Sequence, residues 1–126
     1  KHLASWAGLC PGNNESAGKK KRGKQRKGNQ TLRTTLVQCA RAAARTKDTY
    51  LSSMYARIAS RRGANVAAVA VARTILEIYY HMVAEGSNYN DLGACYYDTR
   101  NLEHIRKRSI KRLEGLGYKV TLEEIV

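Results

Sequence analysis

The sequence predicts an all-α fold, a compact bundle of about four helices with a long basic loop near the N-terminus and a short extended C-terminal tail. The apolar residues are rich in alanine and the chain contains one proline, a composition that favours close-packed helices. Apolar residues also recur at helical spacing in several later segments. At 126 residues the chain has room for one modest core, so we expect a single domain over residues 1–126.

The N-terminal residues 2–7 are predicted to form one helical turn, with Leu3, Trp6 and Ala7 on one side. Trp6 is the only tryptophan of the chain. We interpret it as a core anchor rather than a surface for stacking nucleobases, because large aromatic side chains are mostly buried.

Residues 9–28 form a basic loop without helical or strand periodicity. A short hairpin with Gly23 at its turn is one interpretation of residues 21–24. One serine, Ser16, lies in a small segment, Asn-Asn-Glu-Ser-Ala-Gly. A dense run of cations follows it: Lys19, Lys20, Lys21, Arg22, Lys24, Arg26 and Lys27.

Two amphipathic helices are predicted next. Asn29 is a favourable N-cap for the first, which continues to about Arg45. Its apolar stripe consists of Leu32, Leu36, Cys39, Ala40 and Ala43. Asp48 is expected to cap the second, over residues 49–62, and Gly63 fits its C-terminal cap. Its stripe consists of Leu51, Met54, Tyr55 and Ile58.

The third helix, residues 64–85, is apolar nearly all round, which predicts burial on several sides at the centre of the bundle. Arg73 and Glu77 are expected to pair, and because they interrupt the apolar run we favour a buried helix over a membrane span. His81 is interpreted as a core histidine, and Gly86 as the end of the helix.

A fourth helix is expected from Asp98, as its cap, to about Gly115. Its stripe of Leu102, Ile105, Ser109, Leu113 and Leu116 has heptad-like spacing and could support assembly. Residues 118–122 alternate and include β-branched side chains, so a short strand or extended segment is predicted.

The formal net charge of +13 indicates a polyanionic partner. We favour nucleic acid over an anionic membrane, because no basic segment has the Trp- and Leu-rich face of a membrane-binding helix. If all seven cations of the loop contacted phosphates of duplex DNA, the logarithm of the binding constant would fall with the logarithm of the salt concentration with a slope of about −6. Asn29 and Arg33, at the start of the following helix, complete the candidate binding residues. The alternative is a solvated basic arm, which could still order on nucleic acid.

Catalytic signals are weaker. A serine attacks a phosphodiester only when its proton is removed and the developing charge is stabilised; cations surround Ser16, but no general base lies close in sequence. The local sequence alone therefore favours the interpretation of Ser16 as an ordinary turn residue. The ten acidic residues are scattered, so no metal site is predicted within the chain. Cys10, Cys39 and Cys95 form no Cys-x-x-Cys pair and are expected to be reduced thiols of a cytoplasmic protein.

Several blocks carry a resemblance that is specific only in combination. They are residues 3–11 (LASWAGLCP), 15–18 (ESAG) and 27–29 (KGN), then Leu32-Arg33, Leu36-Val37-Gln38, Tyr79-Tyr80-His81, Tyr89, Asp91-Leu92-Gly93 and Tyr96-Tyr97-Asp98. Through them the whole chain resembles the C-terminal transposase domain of the DEDD-type insertion-sequence transposases, described as bridge-RNA-guided serine recombinases. The resemblance implies that this domain supplies a serine that forms a covalent phosphoserine link with DNA. That serine maps onto Ser16, just before the Ala17-Gly18 pair.

The resemblance also implies what lies outside this chain. The family has an N-terminal RuvC-like domain that holds magnesium, a coiled-coil linker, and a composite active site built from different subunits. The chain would then be a fragment of a longer bacterial, nucleoid-associated protein, would hold no cofactor itself and would be inactive alone. Its expected partners are DNA, a guide RNA and further copies in a dimer or tetramer. The alternative is a non-catalytic basic module for nucleic-acid binding or oligomerisation.

Overall fold

The computed structural model describes residues 2–12, 15–20 and 27–123. Within them lie six helices, α1 (His2–Trp6), α2 (Gln30–Arg45), α3 (Tyr50–Arg62), α4 (Ala64–Glu85), α5 (Tyr96–Arg100) and α6 (Leu102–Gly115). Two short strands, β1 (Glu15–Ser16) and β2 (Lys19–Lys20), lie between α1 and α2. Helix accounts for 66% and strand for 4% of the described residues, which confirms the all-α prediction. The chain divides into two units, Lys1–Ala94 and Cys95–Val126.

In the first unit α4 is the central helix, since it packs against α1, α2 and α3. The buried core consists of Ala7, Leu9, Leu36, Ala40, Val71, Ala72 and Leu76. Alanines from both α2 and α4 belong to it, so the helices can approach closely. Cys39 was predicted on the buried stripe of α2, but it is exposed; the face of α2 that reaches α4 is narrow and is occupied by Leu36 and Ala40.

Side-chain and glycine caps set the ends of these helices. The Oδ1 atom of Asn29 accepts a hydrogen bond from the Leu32 backbone amide at 3.0 Å, as predicted. The predicted Asp48 cap of α3 is wrong by one residue. Asp48 has a φ of 57°, whereas Thr49 is extended and exchanges capping-box hydrogen bonds with Ser52. Gly86, in the left-handed conformation, ends α4.

Burial of α4 on several sides is confirmed only for its N-terminal and middle turns, where Ala67, Ala68, Val71, Ala72 and Leu76 are buried. Tyr79, Tyr80 and Val83 are exposed. With 22 residues α4 is about 33 Å long, whereas the 13 residues of α3 span about 20 Å and cannot cover it. By length and composition alone α4 would also pass as a membrane span, a test that the core helices of soluble proteins pass as well.

The second unit contains α5 and α6. The prediction that Asp98 caps one continuous helix is wrong. Asp98 lies inside α5, which ends at Arg100, and α6 begins at Leu102. The guanidinium of Arg100 donates to the Tyr96 hydroxyl at 2.9 Å, across one turn of α5. The apolar stripe of α6 is exposed at Leu102, Ile105, Leu113 and Leu116. Residues 118–122 form no strand, and the two strands described pair with each other.

Candidate functional site

The basic loop begins at a well-formed helix C-terminus. Gly8 adopts a φ of 71° and donates its amide to the Ser5 carbonyl at 3.0 Å, while the Leu9 amide donates to the Ala4 carbonyl at 3.0 Å. This pair of bonds is a Schellman motif, in which the left-handed residue is usually glycine. The side chain after it, Leu9, is 2% exposed. Gly8 thus caps α1, and Leu9 anchors the start of the loop in the core.

The end of the basic loop lies against its beginning, at the cap of α1. The Asn29 amide donates to the Trp6 carbonyl at 3.1 Å. Gly28 crosses the α1 cap so closely that a Cβ atom on it would lie 2.6 Å from the Trp6 carbonyl oxygen and 2.6 Å from the Gly8 Cα atom. Both ends of residues 9–28 are therefore held at one point on the core, beside the N-terminus of α2.

A tight hairpin lies within the loop. Strands β1 and β2 are antiparallel, with Glu15 opposite Lys20 and Ser16 opposite Lys19. The two turn residues, Ala17 and Gly18, have φ values of 51° and 72°, which fit a type I′ turn. The hairpin considered at Gly23 lies outside the described residues. The hairpin that the structure describes lies earlier in the loop, with Ala17 and Gly18 at its turn.

The hairpin register brings Ser16 and Lys19 together. Directly opposite residues on one face of a two-stranded ladder have Cβ atoms about 5 Å apart. Both residues are exposed, so a hydroxyl and an ammonium group are presented to solvent side by side. Glu15 faces the other side, because neighbouring residues of a strand alternate. This arrangement can hold a phosphate oxygen with a cation while a hydroxyl lies within reach of the phosphorus atom.

The structure describes the side chains of three further predicted binding residues, Lys27, Asn29 and Arg33. Lys27 is exposed and lies next to the Gly28 crossing, and Arg33 is half-buried on α2. Asn29 uses its Oδ1 atom to cap α2, and its contact with nucleic acid stays a prediction. Lys20 is described only as part of β2. Four further predicted residues, Lys21, Arg22, Lys24 and Arg26, lie outside the described residues.

A groove between α1 and α4, called the α1–α4 groove below, opens beside the loop base with a cavity volume of about 690 Å³. Its lining consists of His2, Leu3, Ala4, Trp6, Leu76, Glu77, Tyr80 and His81. The prediction of Trp6 as a core anchor is wrong, since its side chain is 58% exposed. α1 has only one turn, and its contact with the core is made by Ala4 and the following Ala7 and Leu9, which leaves the indole at the groove.

His81 is not a core histidine either. It is exposed, and its Nδ1 atom lies 2.8 Å from the Glu85 carboxylate. Glu77, four residues earlier, pairs with the Arg73 guanidinium at 2.8 Å, as predicted, and this contact raises the pKa of Arg73. His81 lies in the C-terminal half of α4, which extends beyond the length that α3 can cover.

A second polar centre, which the sequence interpretation missed, follows α4. Asp91 accepts hydrogen bonds from the Tyr50 amide at 3.0 Å, the Gly93 amide at 2.7 Å and the Tyr89 hydroxyl at 2.8 Å. The bond from the Tyr50 amide, at the first turn of α3, does most to hold the pKa of Asp91 below its usual range. Burial and the bond to Asp91 raise the pKa of Tyr89 to about 12. An Asp followed two residues later by Gly is a turn signal that could have identified the centre.

Comparison with known proteins bears on the loop in particular. Residues 1–56 match the protein-family model described as Transposase IS116/IS110/IS902 family. The matched part contains α1, the Ser16 hairpin, α2 and the first turns of α3. The match supports a transposase domain here, and DNA transposition or recombination in general. The chain has no match among the curated proteins and none among the solved structures.

Proposed function

We propose that this chain is part of a transposase in which Ser16 attacks a DNA phosphodiester and the basic loop holds the phosphate backbone. The observation that carries the proposal is the register of the hairpin, with Ser16 directly opposite Lys19. The hairpin lies inside the segment that matches the transposase family. The closed loop base supports it too, because a nucleophile is useful only where the scaffold limits its position.

The proposed step is a transesterification. The Ser16 Oγ atom forms a bond to phosphorus, the bond from phosphorus to one deoxyribose oxygen breaks, and that oxygen leaves as a strand-end hydroxyl. The strand becomes linked to Ser16 as a phosphodiester, so no external energy source is needed to rejoin it. In the return step a hydroxyl of the receiving strand attacks the same phosphorus and releases Ser16. Lys19 counters the negative charge that grows on the phosphoryl oxygens in both directions.

The proton of Ser16 needs an acceptor, and Glu15 does not fit that role because it faces the other side of the hairpin. Among the residues that the structure describes, no group of three or more His, Cys, Asp or Glu side chains could hold a metal ion. The magnesium implied by the family resemblance does not fit this part of the chain. We therefore propose that the acceptor and any metal belong to a RuvC-like domain, contributed within a homo-oligomer.

Nucleic acid is the proposed partner of the rest of the loop. The chain carries 23 Lys and Arg residues against 10 Asp and Glu residues. Lys19 and Lys27, the first and last cations of the basic run, are exposed. Positive charge of this kind binds the phosphate backbone of nucleic acid whatever its base sequence. Pairing of a guide RNA with target and donor DNA would supply the sequence specificity that these contacts lack.

The test is formation of the covalent link. The full-length protein is incubated with a plasmid that carries the element encoding it and the flanking non-coding RNA, then denatured, and protein-bound DNA is measured on a gel. We expect Ser16→Ala to abolish the adduct and to leave DNA binding unchanged, because the cations that bind the phosphates are retained. Ser109→Ala, which removes an exposed hydroxyl from α6, is the matched control and should form the adduct normally. Wild-type adduct levels in Ser16→Ala would overturn the proposal.

A second candidate function, a non-catalytic nucleic-acid-binding module, is favoured by the net charge of +13 alone. It predicts that the affinity falls steeply with salt and that strand exchange by the full-length protein is indifferent to Ser16. A Ser16→Ala protein that binds DNA but exchanges no strands would reject this candidate.

A further inference from the structure

We infer that the α1–α4 groove binds unpaired nucleobases of a single strand by stacking. The inference rests on the proposed function, since it assumes that nucleic acid reaches the neighbouring loop. It assigns a role to Trp6 and Tyr80 that neither the charge of the loop nor the chemistry of Ser16 requires.

Flat rings define the groove. Trp6 and Tyr80 line it, with 58% and 54% of their surfaces exposed. The imidazole rings of His2 and His81 line it as well, and His81 packs edge-on against Tyr80 with ring centroids 5.6 Å apart. Exposed aromatic rings in a groove suit bases of any sequence, because every base has a π-face. Leu3 and Leu76 give the groove an apolar floor. Displacement of water from this floor by a base is therefore favourable.

The lining of the groove favours bases over phosphates. Among the residues that the structure describes, it contains no lysine or arginine, and its one carboxylate, Glu77, is paired with Arg73. This described lining therefore offers a phosphate no lysine or arginine to bind, whereas its aromatic rings can stack on an uncharged base. The cations that attract phosphates lie instead on the loop, where Lys19 and Lys27 are exposed. A strand would thus place its backbone on the loop and turn its bases towards α4.

The groove and the loop are continuous through one residue. The Trp6 side chain lines the groove, and the Trp6 carbonyl accepts the hydrogen bond from Asn29 that closes the loop. Lys27 is two residues from that bond. A nucleotide held by Lys27 would therefore lie near the end of α1 that carries Trp6.

Fluorescence tests the inference directly, because Trp6 is the only tryptophan. The chain is titrated with oligo(dT), oligo(U), an abasic oligonucleotide of equal length, and a DNA duplex. We expect saturable quenching by one or both of the single strands, and none by the abasic strand, although its phosphates also bind the loop. Stronger quenching by oligo(U) or by oligo(dT) would identify RNA or DNA as the natural source. An abasic strand that binds as tightly as oligo(dT) and quenches equally would overturn the inference.

Two tyrosines on α4 provide a matched pair of variants. Tyr80→Ala removes a groove ring and should weaken single-strand binding about 5- to 150-fold, as loss of one stacked base does. Tyr79→Ala removes a neighbouring ring that is 63% exposed and does not line the groove, so it should bind normally. Both residues are exposed, so neither change should unfold the chain. Equal affinities of the two variants would mean that the groove serves another partner and would overturn the inference.

Failure of the proposed function would look different. If neither single strands nor duplex bind at low salt, both proposals fall. If duplex and abasic strand bind but Trp6 does not respond to any base, only the stacking inference falls.

Discussion

Gly28 and Gly8 form a backbone crossing that has no room for a side chain on Gly28. A Cβ atom there would lie 2.6 Å from the Gly8 Cα atom. Beside this crossing, the Asn29 amide donates to the Trp6 carbonyl at 3.1 Å. The crossing therefore decides where the Ser16 loop starts and ends, and how the loop is joined to α1 and α2.

The first prediction concerns Gly28→Ala. The new methyl group would meet backbone atoms rather than the end of a flexible side chain, so the loop base must shift. Overpacking of this kind typically lowers stability by about 1–3 kcal/mol. Urea unfolding followed by circular dichroism measures the change. Gly115→Ala is the control, since Gly115 ends α6 with nothing within 4 Å of its Cβ position. Equal stabilities for the two variants would contradict the crossing.

The second prediction concerns Ala17, which has a φ of 51° in the hairpin turn. A non-glycine residue pays about 1–2 kcal/mol for the left-handed region, whereas glycine adopts it freely but loses more entropy on folding. We therefore expect Ala17→Gly to stabilise the hairpin by about 0.5–1 kcal/mol, measured as slower amide exchange in Ser16 and Lys19. Ala42→Gly, on the exposed side of α2, should lower stability by about 1 kcal/mol. A faster-exchanging hairpin in Ala17→Gly would contradict the turn.

Local signals in the sequence predicted most of the helices. The start of α2 at Asn29 and both ends of α4 agree with prediction, because caps and glycine stops act over three or four residues. The turn at Ala17 could not be predicted, since alanine disfavours the conformation that it adopts there. Asp98 was wrongly predicted as a cap, because a good capping residue can also lie inside a helix. The break between α5 and α6 comes later, at Asn101.

Burial and the site depended on contacts distant in sequence. The exposure of Trp6 depends on how α1 packs, since Ala4, Ala7 and Leu9 make the contact with the core, and no local pattern contains this packing. The hydrogen bond from the Tyr50 amide to Asp91 joins residues 41 positions apart. Ser16 can be paired with Lys19 only once the turn has been located. The loop and its charge could therefore be predicted from the sequence, but the geometry of the hairpin could not.

The third prediction concerns Asp91, whose carboxylate holds residues 89–93 against the first turn of α3. Its pKa is lowered in the folded chain, chiefly by the Tyr50 amide, so its contribution to stability is present above the usual pKa of 3.8 and is lost as the pH falls through the lower folded value. Asp91→Asn should lower the melting temperature at pH 7 and flatten its dependence on pH below about pH 4.

The control for this prediction is Asp98→Asn, which removes an exposed carboxylate from α5. It should leave the pH dependence of the melting temperature in place. If Asp91→Asn showed the wild-type slope in acid, the hydrogen bonds to Asp91 would contribute nothing to folding.

The fourth prediction concerns Tyr89, whose hydroxyl donates to Asp91 at 2.8 Å. Burial and this bond raise its pKa from 10.0 to about 12. Because the unfolded chain loses the proton first, the contribution of Tyr89 to stability is complete below pH 10 and is lost between about pH 10 and 12. Absorbance at the tyrosinate band, titrated in wild type and in Tyr89→Phe, isolates this group by difference. Tyr118→Phe, an exposed tyrosine of the second unit, is the matched control. A difference titration centred near pH 10 for Tyr89 would show that the hydroxyl is not held by Asp91.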